Sequence, residues 1–329
     1  MAVEVGMRVV TDRCMRRCCR AGGALSLALS VAVLLGGCAG RDAGRDAGRD
    51  AGRDAAASTA ASAPSGERAD DHKNGGGGHA GPGGLPSAHV HGVAVNPADD
   101  RIYLATHDGL FRYDAAGPIR IGPVIDLMGF TVAGPDHFYA SGHPGPGTDL
   151  PEPVGLIESA DGGRTWALRS RQGQSDFHAL TASSAGVVGF DGILRTSADG
   201  MSWTTLTPPV RPSALAASPD GSILLATSES GPARSTDGGT TWSRVEHAPL
   251  LQLVDWADAA TVVGVSPDGT VAVSTDGGIT WATRARAGGA PQAVSAHTAA
   301  GGSLRVLVVT VDTVMDSTDG GVTFAPLRA

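Results

Sequence analysis

From His89 onward the chain is built of short runs in which apolar and polar residues alternate, rich in β-branched residues and separated by Gly, Pro, Asp and Ser. Alternation with a period of two is the pattern of a half-buried strand. The first group predicts strands over 91–95, 101–106, 110–114 and 119–124, and later groups open near Phe130, His178, Ala214, Leu253 and Ala293. Six units result, the last completed by a strand over 322–327. No strand is left over for exchange between the first and last units, although the segment just before His89 is positioned to contribute one.

The units repeat with a period of about 38 residues, a spacing typical of propeller blades. Three turns share one octapeptide: Ser159-Ala-Asp161-Gly-Gly163-Arg-Thr165-Trp166, Ser235-Thr-Asp237-Gly-Gly239-Thr-Thr241-Trp242 and Ser274-Thr-Asp276-Gly-Gly278-Ile-Thr280-Trp281. Degenerate copies follow Ser197 (Asp199, Gly200, Ser202, Trp203) and Ser317 (Asp319, Gly321, Thr323, Phe324). In such a turn Asp and Ser side chains accept from backbone N–H groups, Gly supplies a positive φ and the aromatic ring pins the turn to its blade. These octapeptides resemble the Asp box, or BNR repeat. Asp161, Asp199, Asp237, Asp276 and Asp319, with Trp166, Trp203, Trp242 and Trp281, are therefore expected to be structural. The fold expected over 85–329 is an all-β, six-bladed β-propeller, with seven blades as the alternative.

What precedes the repeats has a different character. Arg13, Arg16, Arg17 and Arg20 lead into an apolar run over 24–35 that is too short to span a bilayer, which marks residues 1–37 as a signal peptide. Leu35-Gly36-Gly37-Cys38 resembles the lipobox of bacterial lipoproteins, which implies that the Cys38 thiol is acylated and anchors the chain on the extracytoplasmic face of the cell membrane. From Cys38 to about residue 84, four Ala-Gly-Arg-Asp repeats and Gly/Ser-rich sequence offer too little apolar surface to form a core, the composition of a flexible tether. All the cysteines lie at or before Cys38, so the propeller has no thiol chemistry. Net charge is −8, and loss of the Arg-rich signal makes the mature chain more acidic still, which argues against nucleic acid as a partner.

Blade geometry narrows the search for chemistry. The boxes join the third and fourth strands of their blades, so residues where first strands start and second strands end share the opposite face. Aligning Ala94-Val95-Asn96-Pro97 with Ala216-Ala217-Ser218-Pro219, and that with Thr181-Ala182-Ser183, puts His91 and His178 in one register at first-strand starts. Aligning 102–106 with 138–142 puts His107 and His143 in another, at second-strand ends, with Asp191 at the corresponding place in the third unit. Imidazoles with a carboxylate suit zinc or copper, Met128 adds a soft donor, and His89 joins them or supports them from behind. His137 and His247 read as loop residues and His297 as a strand-edge residue. Tyr103 and Tyr139 occupy equivalent second-strand positions and read as core. The Pro/Gly-rich stretch over 141–153 is the longest insertion and is placed to shape a pocket.

His89-Val-His91-Gly, Asp126-Leu-Met128-Gly-Phe130, Tyr139-Ala-Ser-Gly-His143-Pro-Gly and Asp176-Phe-His178-Ala-Leu resemble a family of bacterial lipoproteins labelled glycosyl hydrolase or exo-sialidase-like. That resemblance spans the repeat region and implies a glycosidase. Sialidase chemistry needs three arginines, a tyrosine nucleophile with a glutamate, and an acidic aspartate; Arg211 is among the few arginines near a first-strand start, and no tyrosine is well placed. Two expectations follow. One is a lipid-anchored protein whose propeller mouth binds a small ligand, a glycan or a metal, copper or zinc. The other is a glycoside hydrolase acting on a surface or extracellular glycan through Asp126, Asp149, Glu152 or Asp176.

Overall fold

The computed structural model describes residues 84–327, apart from 88, 115, 209 and 300. The signal peptide, Cys38 and all but the last residue of the tether expected over 38–84 lie outside the described residues. Six four-stranded antiparallel sheets follow one another along the chain, forming a six-bladed propeller. Blade one comprises β1 (Val90–Asn96), β2 (Arg101–Thr106), β3 (Gly109–Asp114) and β4 (Gly117–Ile121). Blade two comprises β5 (Ile125–Gly134), β6 (His137–Pro144), β7 (Leu156–Ser159) and β8 (Ala167–Ser170). Blade three is β9 (Ala179–Ser183), β10 (Gly186–Phe190), β11 (Leu194–Ser197) and β12 (Thr204–Leu206). Blade four is β13 (Ala214–Ala217), β14 (Leu224–Thr227), β15 (Ala233–Ser235) and β16 (Ser243–Arg244). Blade five is β17 (Leu253–Trp256), β18 (Val262–Val265), β19 (Thr270–Ser274) and β20 (Ala282–Arg286), and blade six is β21 (Pro291–Thr298), β22 (Leu304–Thr310), β23 (Val314–Ser317) and β24 (Ala325–Pro326).

The first strands β1, β5, β9, β13, β17 and β21 lie side by side in a closed ring and line a central channel of about 750 Å³. Second strands such as β14 (LLAT) and β18 (VVGV) are buried along their whole length, because neighbouring blades cover both of their faces. Outer strands such as β16 are exposed, which is why their sequences carry charge.

The Asp boxes have two structural effects. Within the turn, Ser159 Oγ accepts from Gly163 N at 2.8 Å, while Asp161 accepts from Thr165 N at 2.9 Å and from the Thr165 hydroxyl at 2.6 Å. The same bonds recur around Asp237, Asp276 and Asp319. Between blades, the second glycine sits where a Cβ would strike the blade before it. At Gly239, with φ of 90°, a Cβ would lie 2.8 Å from Leu206, and at Gly278 2.9 Å from Leu225. Each box thus staples its own hairpin and latches onto the preceding blade.

Blade one carries no box, so the seam between blades six and one has no such latch. Leu85, 2% exposed, fills that seam, packed with Val90, Val93, Ile102 and Leu104 of blade one and with Ala293, Leu307, Val309 and Val314 of blade six. Among the described residues, the segment before His89 therefore contributes an apolar plug and not a strand.

Three strand boundaries depart from the sequence reading: β4 ends at Ile121 and not at 124, β24 spans only Ala325–Pro326 and not 322–327, and blade two starts early. Blade two opens at Ile125, not near Phe130, and Met128 lies inside β5. The register shifts between Leu127 and Gly129, so the alternation that marks a strand is interrupted there. Gly129 is required at that bulge, since a Cβ would come within 2.1 Å of the Phe177 carbonyl oxygen.

Candidate metal and ligand site at the channel mouth

On the face opposite the Asp boxes, local backbone features aim several histidines at the channel. The β1–β2 register shifts between Val90 and Gly92, leaving His91 at a bulge, and Val90 is fully buried. Residues two apart in a strand share a side, so burial of Val90 turns His89 and His91 together toward the mouth. His107 tips the β2–β3 turn, where the Thr106 hydroxyl donates to Gly109 O at 2.9 Å and accepts from Asp108 N at 3.0 Å. In blade three the same alternation operates around Phe177, which is fully buried and donates its N–H to Ser141 Oγ at 2.9 Å. Asp176 and His178, on either side of it, are thereby carried to the end of β6 beside His143.

The side chains form two neighbouring groups. In the first, His89 Nδ1 lies 3.3 Å from His91 Nε2, and His91 Nε2 lies 3.1 Å from His107 Nε2. One ring nitrogen from each of the three comes within 4.8 Å of the others. His107 Nδ1 is 2.8 Å from Asp126 Oδ1. Burial, followed by the neighbouring His107 and His89, pushes the His91 pKa down to about 4, so its ring is neutral at physiological pH.

The second group is built around a carboxylate. Asp176 Oδ2 lies 2.6 Å from His178 Nε2 and 3.1 Å from His143 Nε2, while His143 Nδ1 bonds Glu152 from the 145–155 loop. The bond to Glu152 raises the His143 pKa, and the bond to Asp176 raises that of His178. Burial works to raise the Asp176 pKa, but the two imidazoles outweigh it and hold the carboxylate below its usual range. Asp126 and His143 are cross-strand partners on β5 and β6, so the two groups adjoin.

Met128 and His178 line the channel with His89 and His91. Asp191 stands apart from both groups. It does sit at the end of its second strand, but its carboxylate is turned to Arg195 at 3.4 Å, Arg171 at 3.9 Å and the Ser175 hydroxyl, leaving the side chain 7% exposed. It is a structural ion pair here and not a ligand, because two arginines from its own blade and from the connection before it satisfy it. His137 begins β6 and bonds Glu158 at 2.7 Å, His247 occupies a turn at φ of 59°, and His297 lies within β21. Tyr103 is 2% exposed and packs edge-on to Phe138 in the core.

One channel residue gave no signal in the repeat alignment. Asp255, on β17, lines the channel and accepts from Ala296 N at 2.8 Å. Burial inside the ring pushes its pKa up to about 7 against that bond and one from the Trp256 N–H.

Six blades with box-stapled turns make a six-bladed β-propeller that carries Asp-box repeats. The BNR/Asp-box repeat family matches residues 233–244 and 272–283, the boxes of blades four and five. Comparison with curated protein sequences gives no match. Among solved structures, the chain is similar to YCF48 bound to D1 peptide, at 14% identity and a TM-score of 0.47, covering 72% of this chain and 81% of that one. It is similar to virginiamycin B lyase from Staphylococcus aureus, at 12% identity and a TM-score of 0.46, covering 74% and 85%. An ancestral GH74 enzyme matches at 16% identity and a TM-score of 0.48, over 73% of this chain and 37% of that one.

Proposed function

We propose that this protein is an extracytoplasmic lipoprotein, anchored through Cys38, whose propeller mouth binds a transition metal, copper or zinc, through His89, His91 and His107. The observation that carries this reading is the approach of three ring nitrogens to within 4.8 Å of one another at the open end of the channel. The donor set fits those ions: imidazole suits both, and three protein ligands leave a coordination position for an exchangeable partner. His91 is already neutral, so no proton has to leave before its lone pair is available. Asp126 behind His107 is the carboxylate that commonly fixes the tautomer and orientation of a ligating ring. Met128 in the channel wall supplies a soft donor nearby, which favours copper(I). A bound ion here supplies Lewis acidity and an exchangeable site facing the channel.

Three of the four candidate carboxylates weigh against the glycosidase alternative. A glycoside hydrolase needs a pair of carboxyl groups free to serve the scissile bond. Of the four candidates, Asp126, Glu152 and Asp176 are each engaged by a histidine, and Asp176 is held ionised, which suits a base or nucleophile and not the acid; Asp149 is exposed on the 145–155 loop.

The test is the metal content of mature protein purified without an affinity tag, compared with His91→Ala and His107→Ala. Loss of the same equivalent in both variants is expected. Unchanged metal binding in either variant overturns the reading.

A further inference from the structure

The second group at the mouth has a chemistry of its own. Asp176 Oδ2 is approached by two imidazole nitrogens, His178 Nε2 at 2.6 Å and His143 Nε2 at 3.1 Å. We propose that Asp176, His143 and His178 form a second cation site, distinct from the three-histidine site, that takes a divalent first-row metal ion through one carboxylate oxygen and two imidazole nitrogens. It stands independently of the first site.

Three observations support it. First, Asp176 Oδ1 is buried and, among the described residues, accepts no hydrogen bond. A buried, charged oxygen without a donor is costly, and a cation at the group would compensate it. Second, the far nitrogen of one ring is already held: Glu152 bonds His143 Nδ1 and leaves Nε2 to face Asp176. That is the carboxylate–histidine arrangement found behind metal ligands, and it is the same relation that Asp126 has to His107. Third, the donors are placed by rigid elements. His143 is on β6, and Asp176 and His178 flank the buried, hydrogen-bonded Phe177.

An ion would replace the protons that now join these atoms. Its ligands must come within about 2.0 to 2.2 Å of it, a closer convergence than the hydrogen-bonded cluster has. The His178 side chain is 61% exposed, so its ring can turn to close the set without disturbing the core. One carboxylate with two imidazoles is a harder donor set than three imidazoles. The second site is therefore expected to prefer zinc, iron(II) or manganese over copper(I), so the two sites would sort different ions at one mouth.

The experiment is a zinc(II) titration of mature protein by equilibrium dialysis, repeated with cobalt(II) so that ligand-field absorption reports each site. Wild type, His178→Ala and His91→Ala are compared, with Asp176→Asn as a second variant of the new site and thermal melts confirming folding. His178→Ala removes an exposed ring, so the result does not hang on the half-buried Asp176. About two equivalents in wild type and about one in each variant are expected, with the remaining cobalt spectrum differing between His178→Ala and His91→Ala. One equivalent in wild type that His178→Ala retains overturns the second site and leaves the first. A single equivalent lost in both variants means one shared site and also overturns it. A single equivalent lost in His178→Ala but kept in His91→Ala supports the second site and removes the first. No binding at all removes both.

Discussion

Asp126 Oδ1 meets His107 Nδ1 at 2.8 Å across the boundary between blades two and one, so a carboxylate of one blade orients an imidazole of the next. The Asp126→Ala variant should keep all three imidazoles of the first site and lose only this orientation. Metal affinity is expected to fall about 10- to 100-fold, the usual effect of removing a carboxylate behind a ligand. Isothermal titration against wild type checks this, and an unchanged dissociation constant would show that His107 is oriented by something else.

The seam between blades six and one should be the weak point of the ring. Leu85→Ala removes a fully buried side chain from a cluster shared by both blades, for an expected loss of about 2 to 5 kcal/mol. Denaturant unfolding measures it, and a loss below about 0.5 kcal/mol would show that the ring closes without the plug.

The box tryptophans are partly buried, so their truncation should cost less than the about 3 to 5 kcal/mol of fully buried aromatics. Trp242 donates to Gly239 O at 2.8 Å and packs against the core shared by blades three and four. Trp242→Ala is expected to cost about 2 to 3 kcal/mol and to leave metal binding at the opposite face unchanged. A stable variant with altered metal affinity would contradict the structural role of the boxes.

Asp255 makes stability depend on pH. Its folded pKa of about 7 lies above that of an unfolded aspartate, so the folded state holds the proton more tightly. The contribution is greatest below about pH 4 and is lost as pH rises to about 7. Asn at this position keeps an acceptor for Ala296 N and cannot ionise. Asp255→Asn should therefore melt at higher temperature than wild type at pH 8, with the difference shrinking toward pH 4. Parallel melting curves for the two proteins across that range would refute the assignment.

Cys38→Ala should shift the protein from the membrane fraction to the soluble fraction, because the acylated thiol is the proposed anchor. Fractionation of cells expressing both forms decides it, and a variant that remains with membranes removes the lipoprotein reading.

How far the sequence reached follows from what kind of interaction each feature uses. The boxes were legible because their bonds are local: Asp237 reaches only to Thr241, four residues on, so the octapeptide alone determines the turn. The histidine registers were legible because strand ends repeat with the blades, as His107 and His143 do. What each ring meets was not, since that depends on contacts between blades. Asp126 was read as a possible hydrolytic acid and proves to be the partner of His107, and the histidines divide into two groups through Asp126 and Asp176. Asp191 was placed at the right register but is drawn away by Arg171 and Arg195, which no repeat position encodes. The early start of β5 was hidden because a bulge breaks the alternation at Met128.

The plug at Leu85 also decides where force is felt. A pull on the chain N-terminal to Gly84 is felt at Gly84, whose carbonyl accepts from the Tyr113 hydroxyl of β3, and then at Leu85, which sits in the one seam without a box. Extraction of this single side chain would loosen the seam, which is then held by the remaining apolar residues of blades one and six and by the Val90 N–H donated to Gln292. A tension of that kind would therefore open the ring along a line, like a zip released at its end, while the five box-stapled hairpins keep their shape.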